Sequence, residues 1–143
     1  MKVPYQYSDY KSVVMDGSYL LVDKTKYIEV LEDVGKQLLF LRPRRFGKSF
    51  FLSMLQCYYD IREKENFEKL FGGTYIYDHK TAYANSYHVL KFDFSSISAT
   101  RESAMSSFSE EVSYKLRNLI DQEQLPIELA DADEPNRIFN SFL

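Results

Sequence analysis

Apolar side chains recur at helical spacing in two long stretches of the chain. Residues 27–34 place them on one helical face and are followed by Gly35, a residue typical of the position just after a helix. Residues 101–123 repeat the pattern over a greater length, and Pro126 marks the end of that helix. Both stretches are predicted to be amphipathic helices.

Two shorter helices are predicted in the first half of the chain. Residues 9–15 form one of them, with Ser8 as its cap and Gly17 as its stop. The charged residues 60–69 form the other, which we expect to be solvated. A last helix is predicted to begin after Pro135.

Two stretches favour strands rather than helices. Residues 37–41 are continuously apolar, as a strand buried on both faces would be. Residues 87–94 are rich in aromatic and β-branched residues and predict a second strand. Between them, residues 50–59 are apolar around much of a helix, which indicates a helix packed between layers. The order predicts an α/β fold, a parallel sheet flanked by helices. We expect residues 1–143 to form a single, incomplete domain.

The junction between the first strand and the next helix carries the strongest functional pattern. It ends in Gly47-Lys48-Ser49, the closing triplet of a phosphate-binding loop, but Arg42 stands where the pattern usually has glycine. Glycine permits close backbone approach, the lysine ammonium reaches the phosphates, and the serine hydroxyl binds Mg²⁺. The predicted nucleotide-binding residues are Arg44, Arg45, Phe46, Gly47, Lys48, Ser49 and Phe50. Ser49 is the predicted magnesium ligand, and ATP with Mg²⁺ is the expected ligand. With this loop, the predicted α/β fold is a partial P-loop NTPase-like parallel sheet flanked by helices.

Charge leaves a second interpretation of this loop open. The chain has a formal net charge of -3, which does not fit a dedicated nucleic-acid binder. Its basic character is local, because Arg42, Arg44 and Arg45 stand close together. They suit either a phosphate or the acidic surface of a nucleic acid or a protein partner.

The remaining composition bears on the compartment. Cys57 is the single cysteine, so neither a disulfide framework nor a cysteine zinc site is available, and a reducing, cytoplasmic location is expected. No apolar stretch approaches the roughly 20 residues of a membrane span. We therefore expect no membrane partner.

Several pieces, taken in order, resemble the AAA-ATPase-like proteins of bacteria and archaea. They are residues 5–10, the run 19–25 that ends in Asp23-Lys24-Thr25, the helix to Gly35, the loop within residues 40–49, and residues 92–95. In that family the loop is similar to Arg-Pro-Arg-Arg-Phe-Gly-Lys-Ser, so Arg42 fits a family pattern.

The resemblance implies ATP binding at Gly47, Lys48 and Ser49, with residues 23–25 near the nucleotide. Members often carry a PD-(D/E)xK nuclease-like domain after the ATPase region. The family's later acidic strand end, similar to Asp-Glu-Tyr-Asp and serving as Walker B, does not occur in this sequence. We therefore expect nucleotide binding rather than hydrolysis.

Other candidate residues favour structural roles. Asp93 is expected to cap the turn after the second strand rather than to bind a metal. His79 and His88 lack a partner at ligand spacing, and Cys57 is expected to be a buried core residue. The acidic cluster of residues 131–134 is more typical of a solvated loop than of a cation site.

Overall fold

Helices make up most of the regular structure in the part of the chain that the computed structural model describes. In chain order they are α1 (Tyr10–Asp16), α2 (Tyr27–Val34), α3 (Lys48–Tyr59), a 3₁₀ helix (Ile61–Asn66), α4 (Phe67–Phe71), α5 (Tyr75–Asp78), a second 3₁₀ helix (Phe94–Ser96) and α6 (Arg101–Glu123).

The described residues are 2–4, 7–96 and 101–126. The chain divides into two units, Met1–Val89 and Leu90–Leu143, each with its own buried apolar cluster. Helices α1 to α5 belong to the first unit and α6 to the second. The acidic cluster and the predicted last helix lie outside the described residues.

Helix α1 begins and ends where local chemistry satisfies its backbone. The Asp9 carboxylate accepts a hydrogen bond from the backbone N–H of Ser12 at 2.8 Å, and Gly17 ends the helix in a left-handed conformation with φ 67°. The predicted helix is confirmed, but its cap is Asp9 rather than Ser8. The predictions of α2, α3 and α6 are also confirmed, whereas the charged stretch 60–69 contains a 3₁₀ helix followed by the start of α4.

Aromatic rings from α1, α3 and α4 form the core of the first unit. Tyr10 stacks on Phe71 with ring centroids 5.5 Å apart, and Tyr58 meets Phe71 edge-on at 5.6 Å. All three rings are buried. The Tyr10 hydroxyl donates to the Leu70 carbonyl at 2.9 Å, and its backbone N–H donates to the Ser53 hydroxyl at 3.0 Å. Since the polar atoms of Tyr10 are paired, its ring can be buried at little cost.

The segment after α5 closes the C-terminal end of α3. The last carbonyl groups of a helix have no partner inside it. Here the N–H of Asn85 donates to the Tyr58 carbonyl at 2.8 Å, and the N–H of Tyr87 donates to the Tyr59 carbonyl at 3.0 Å. The Asn85 amide also donates to the Asp60 carbonyl at 2.8 Å. These bonds satisfy carbonyl groups that the end of α3 would otherwise leave without a partner.

The predicted parallel sheet is wrong. Pairing between strands in the described residues is limited to two isolated bridges, Lys2 with Tyr19 and Asp60 with Tyr87. Residues 37–41 take part in neither bridge, and Leu39 is 84% exposed instead of buried. A helix satisfies its own backbone, but a strand needs a neighbouring strand. An apolar run alone does not specify that neighbour, so the α/β fold class is not observed.

The second predicted strand is wrong for the same reason. Over residues 87–94, pairing is confined to the bridge at Tyr87. The apolar side chains Leu90 and Phe92 instead pack against Val112 and Leu116 of α6, which are fully buried. Within the described residues, no helix has both the length and the apolar character needed to cross a membrane.

Candidate functional site

The start of α3 presents an open row of backbone donors. Gly47 precedes the helix in a left-handed conformation, with φ 71° and ψ 22°. The N–H of Phe51 donates to the Gly47 carbonyl at 2.9 Å. The N–H groups of Lys48, Ser49 and Phe50 therefore have no acceptor within the helix, and no side chain in the described part of the chain caps them. Such a helix start suits an anion.

The Lys48 side chain lies over the loop that precedes α3. Its ammonium group donates to the backbone carbonyl of Arg42 and, at 3.4 Å, to that of Pro43. Both acceptors are neutral oxygens, and both bonds are exposed. A phosphate oxygen is a stronger acceptor for an ammonium group, so the lysine can exchange these carbonyl bonds for bonds to a ligand.

A cleft of about 690 Å³ opens beside the loop, wholly within the first unit. This volume lies in the range of about 300 to 1,000 Å³ that is usual for small-molecule sites. Its apolar lining includes Val3, Leu20, Tyr27, Phe40, Phe51 and Met54. Its polar and charged lining includes Asp23, Lys24, Thr25, Arg42 and Thr74.

The cleft divides the predicted site residues into two groups. Phe46, Gly47 and Phe50 line it. Phe50 also packs edge-on against Tyr10, with ring centroids 5.5 Å apart, which fixes this part of the wall on the core.

The other predicted site residues do not line the cleft. Arg44 and Arg45 are exposed, and Arg45 adopts a left-handed conformation with φ 68°. Ser49 is exposed on the first turn of α3, while Lys48 is held over the loop. The site therefore combines a surface loop with a neighbouring apolar cleft.

Asp23 and Thr25 join the cleft wall to the start of α5. The Asp23 carboxylate accepts hydrogen bonds from the N–H and hydroxyl groups of Thr25, at 2.8 and 2.7 Å, and from the N–H of Tyr75 at 2.7 Å. The buried Thr25 hydroxyl accepts from the N–H of Ile76 at 3.1 Å. Two residues distant in sequence thus supply the cap that α5 lacks locally.

These contacts also set the acidity of Asp23. Partial burial alone raises the pKa of the carboxyl group, but hydrogen bonds from the backbone of Tyr75 and Thr25 and from the Thr25 hydroxyl outweigh it. The pKa of Asp23 is therefore lowered, and the group is a carboxylate at neutral pH.

A family model described as "Predicted AAA-ATPase" matches residues 4–142. The chain belongs to the AAA-ATPase-like family. The family expected from the sequence is thus confirmed, whereas a nuclease-like domain stays a prediction. Neither the curated proteins nor the solved structures give a significant match.

The remaining candidate residues, Asp93, His79 and Cys57, have structural surroundings. The Asp93 carboxylate accepts from the N–H of Ser95 at 3.0 Å, and hydrogen bonds from Ser95 lower the pKa of Asp93. The expected turn cap is therefore present. His79 stacks on Tyr75 with centroids 4.0 Å apart. Cys57 is buried, and burial raises the pKa of its thiol to about 12.

Metal coordination by protein side chains alone finds little support. Within residues 2–4, 7–96 and 101–126, no three His, Cys, Asp or Glu side chains form a group that could hold a metal ion. Mg²⁺ keeps several waters and is commonly held by one or two protein groups together with substrate phosphates. Mg²⁺ binding by the Ser49 hydroxyl therefore stays a prediction.

The cleft walls, which depend on contacts between distant residues, were not predicted from the sequence. The cleft lining includes Tyr10, Met54 and Thr74, and none of them belongs to the loop motif. The spacing of Asp23 and Thr25 carried a local signal, since an aspartate often accepts from the N–H two residues on. The attachment of these two residues to α5 had no sequence signal.

Proposed function

We propose that this chain binds ATP together with Mg²⁺ at the loop 42–50 and the adjoining cleft. The observation that carries the proposal is the junction at Gly47, where three unpaired N–H groups and the Lys48 ammonium adjoin a cleft of about 690 Å³. Backbone donors, a helix start and a lysine are together the elements that hold a polyphosphate. Membership of the AAA-ATPase-like family supports the same ligand.

The residues present fit the two parts of this ligand. The N–H groups of Lys48 and Ser49 and the Lys48 ammonium would hold phosphate oxygens, while Phe46 and Phe50 offer apolar surface to the base or sugar. Mg²⁺ would be held by the Ser49 hydroxyl, phosphate oxygens and water. The metal supplies charge neutralisation at the phosphates when bound.

We propose binding without efficient hydrolysis by the chain as given. Phosphoryl transfer to water needs a group that orients the water and a carboxylate that helps to hold the metal. Asp23 and Asp93 are engaged as caps of α5 and of the turn at Ser95. We also place the protein in the cytoplasm, where ATP is abundant and a single buried thiol such as Cys57 stays reduced.

A thermal-shift measurement tests the proposal. Mg²⁺-ATP should raise the melting temperature of the wild-type protein, because a ligand that binds only the native state stabilises it. The Lys48→Ala variant should lose this shift while melting like the wild type without ligand. Lys64→Ala is the matched control, since Lys64 is an exposed lysine of the 3₁₀ helix outside the cleft. An equal shift in folded Lys48→Ala would contradict ATP binding at this loop.

The exposed guanidinium groups support a second candidate function. Arg44 and Arg45 do not line the cleft and lie on an exposed loop, so they are placed to meet a nucleic acid or an acidic protein surface. Such binding would weaken steeply with added salt and would not need Mg²⁺-ATP. Titration with single-stranded DNA at two salt concentrations, comparing wild type with Arg44→Gln/Arg45→Gln, separates this function from nucleotide binding.

A further inference from the structure

The wall of the cleft formed by residues 23–25 is rigidly placed. The Asp23 carboxylate accepts three hydrogen bonds, two from the N–H and hydroxyl groups of Thr25 and one from the N–H of Tyr75. Thr25 is 2% exposed and is tied to α5 through the N–H of Ile76. The backbone on both sides of Lys24 is therefore fixed before any ligand arrives.

The side chain of Lys24, between these two anchored residues, remains available to a ligand. It is exposed and lines the cleft, whereas its two neighbours are held by α5. Its backbone carbonyl accepts from the N–H of Tyr27 at 3.1 Å, which continues the fixed backbone into α2. No ion pair or hydrogen bond of the Lys24 ammonium occurs among the described residues.

The charges lining the cleft favour an anion at this position. Among the described residues that line it, Lys24 and Arg42 are the cations, and Asp23 is the one carboxylate. The charge of Asp23 is already opposed by three donors, two of them backbone N–H groups. The guanidinium of Arg42 lies over the Phe40 ring, 5.1 Å from its centroid, which leaves the donors at its edge free of that ring. A cation on a fixed backbone binds a charged ligand with a smaller ordering cost.

We infer that Lys24 is a second phosphate-binding residue, whose ammonium contacts the polyphosphate of the nucleotide from the cleft wall formed by residues 23–25. The inference rests on the proposed ATP binding and adds a contact outside the loop motif. The Lys48 end of the site holds the phosphates through the start of α3, and Lys24 holds them through a segment anchored on α5. Asp23 and Thr25 act as positioning residues for Lys24.

The test compares nucleotides that differ only in their phosphates. Dissociation constants of ATP, ADP, AMP and adenosine are measured with Mg²⁺ present for wild type, Lys24→Gln, Lys24→Met and Lys24→Arg. Loss of a charge-assisted contact should weaken ATP binding roughly ten- to a hundredfold in Lys24→Gln and Lys24→Met. Adenosine binding should not change, and Lys24→Arg should keep most of the affinity for ATP.

Lys26→Gln is the matched control. Lys26 is an exposed lysine two residues further on that does not line the cleft, and its ammonium lies 5.6 Å from the centroid of the Tyr27 ring. It should bind ATP like the wild type. An equal loss in Lys26→Gln would overturn the inference, because general surface charge would then explain the effect. Parallel losses for ATP and adenosine in Lys24→Gln would also overturn it, because they would mean that Lys24 shapes the cleft.

The design separates this inference from the proposed function. If wild type binds ATP, Lys48→Ala does not, and Lys24→Gln binds normally, only the role of Lys24 is wrong. If folded wild-type protein binds none of the phosphorylated ligands, the proposed function fails and the inference fails with it. Far-ultraviolet circular dichroism and urea midpoints without ligand establish that each variant is folded.

Discussion

The ammonium group of Lys48 donates a hydrogen bond to the backbone carbonyl of Arg42, six residues earlier in the chain. A single side chain thereby closes the loop that leads into α3. In the ligand-bound state that we propose, the same ammonium binds phosphate, so the loop exchanges an internal contact for one with the ligand.

Lys48→Ala should loosen the loop without destabilising the fold. The bond to Arg42 is exposed, and substitutions of this kind usually change the free energy of unfolding by no more than about 0.5 kcal/mol. Trypsin should cleave after Arg44 and Arg45 faster in the variant than in wild type. Mg²⁺-ATP should slow this cleavage in wild type only. Identical cleavage of Lys48→Ala and Lys64→Ala would show that the lysine does not close the loop.

Gly47→Ala should reduce both stability and binding, and Gly17→Ala separates the two effects. Both glycines have positive φ, at 71° and 67°, and an added Cβ would meet no atom within 4 Å at either position. Each substitution should therefore destabilise the protein by about 1 kcal/mol through backbone strain alone. Only Gly47→Ala should weaken ATP binding. Urea denaturation and ATP titration of the two variants measure this, and equal affinities would contradict a backbone contact at Gly47.

Asp23→Asn should destabilise the first unit in a pH-dependent way. An asparagine amide has one acceptor oxygen, so it cannot accept from both Thr25 and Tyr75 as the two carboxylate oxygens do. The free energy of unfolding should therefore fall by roughly 1 kcal/mol at pH 7. Because the folded-state pKa of Asp23 is lowered, its contribution is present above the unfolded-state pKa of about 3.9 and disappears as the pH falls through the folded-state value. The difference between wild type and variant should shrink below about pH 4. Urea denaturation from pH 7 to pH 2.5 checks this, and a constant difference would exclude the charged cap.

Tyr58→Phe should cost about 1–3 kcal/mol of unfolding free energy. The Tyr58 oxygen accepts from the N–H of Thr81 at 2.9 Å and pairs with the Thr81 hydroxyl at 3.0 Å. Removing it leaves a partly buried donor without an acceptor, while the ring keeps its place in the core. Tyr83→Phe, at a half-exposed tyrosine, should have almost no effect in the same urea experiment. Equal effects would show that the Tyr58–Thr81 pair is not important for stability.

Cys57 should react with a thiol-specific disulfide reagent only after unfolding. The residue is buried in α3, and burial raises the pKa of its thiol to about 12. The thiolate is the reactive form, so labelling at pH 8 should be slow until urea unfolds the protein. Because the folded-state pKa is raised, the contribution of this group to stability is present below about pH 8.5 and is lost as the pH rises towards 12. Rapid labelling of the folded protein would contradict the buried thiol.

The local sequence determined helices α1, α2, α3 and α6 and the loop that leads into α3. Helical periodicity located α2, α3 and α6, because an α-helix satisfies its backbone from within and needs only one apolar face. The loop motif located Gly47 and Lys48 at the start of α3, because a turn and a helix start depend on neighbouring residues. The order of short motifs likewise predicted the family, which the family model confirms.

Only the tertiary structure decided what depends on residues far apart in the chain. The runs 37–41 and 87–94 look like strands, but the described residues provide no neighbouring strand for either, and strand pairing requires one. The cleft likewise needs residues from 3 to 74 to converge. The attachment of Asp23 and Thr25 to α5 spans about fifty positions and leaves Lys24 on a fixed cleft wall. No periodicity or motif encodes such contacts, because their energy comes from partners that only folding brings together.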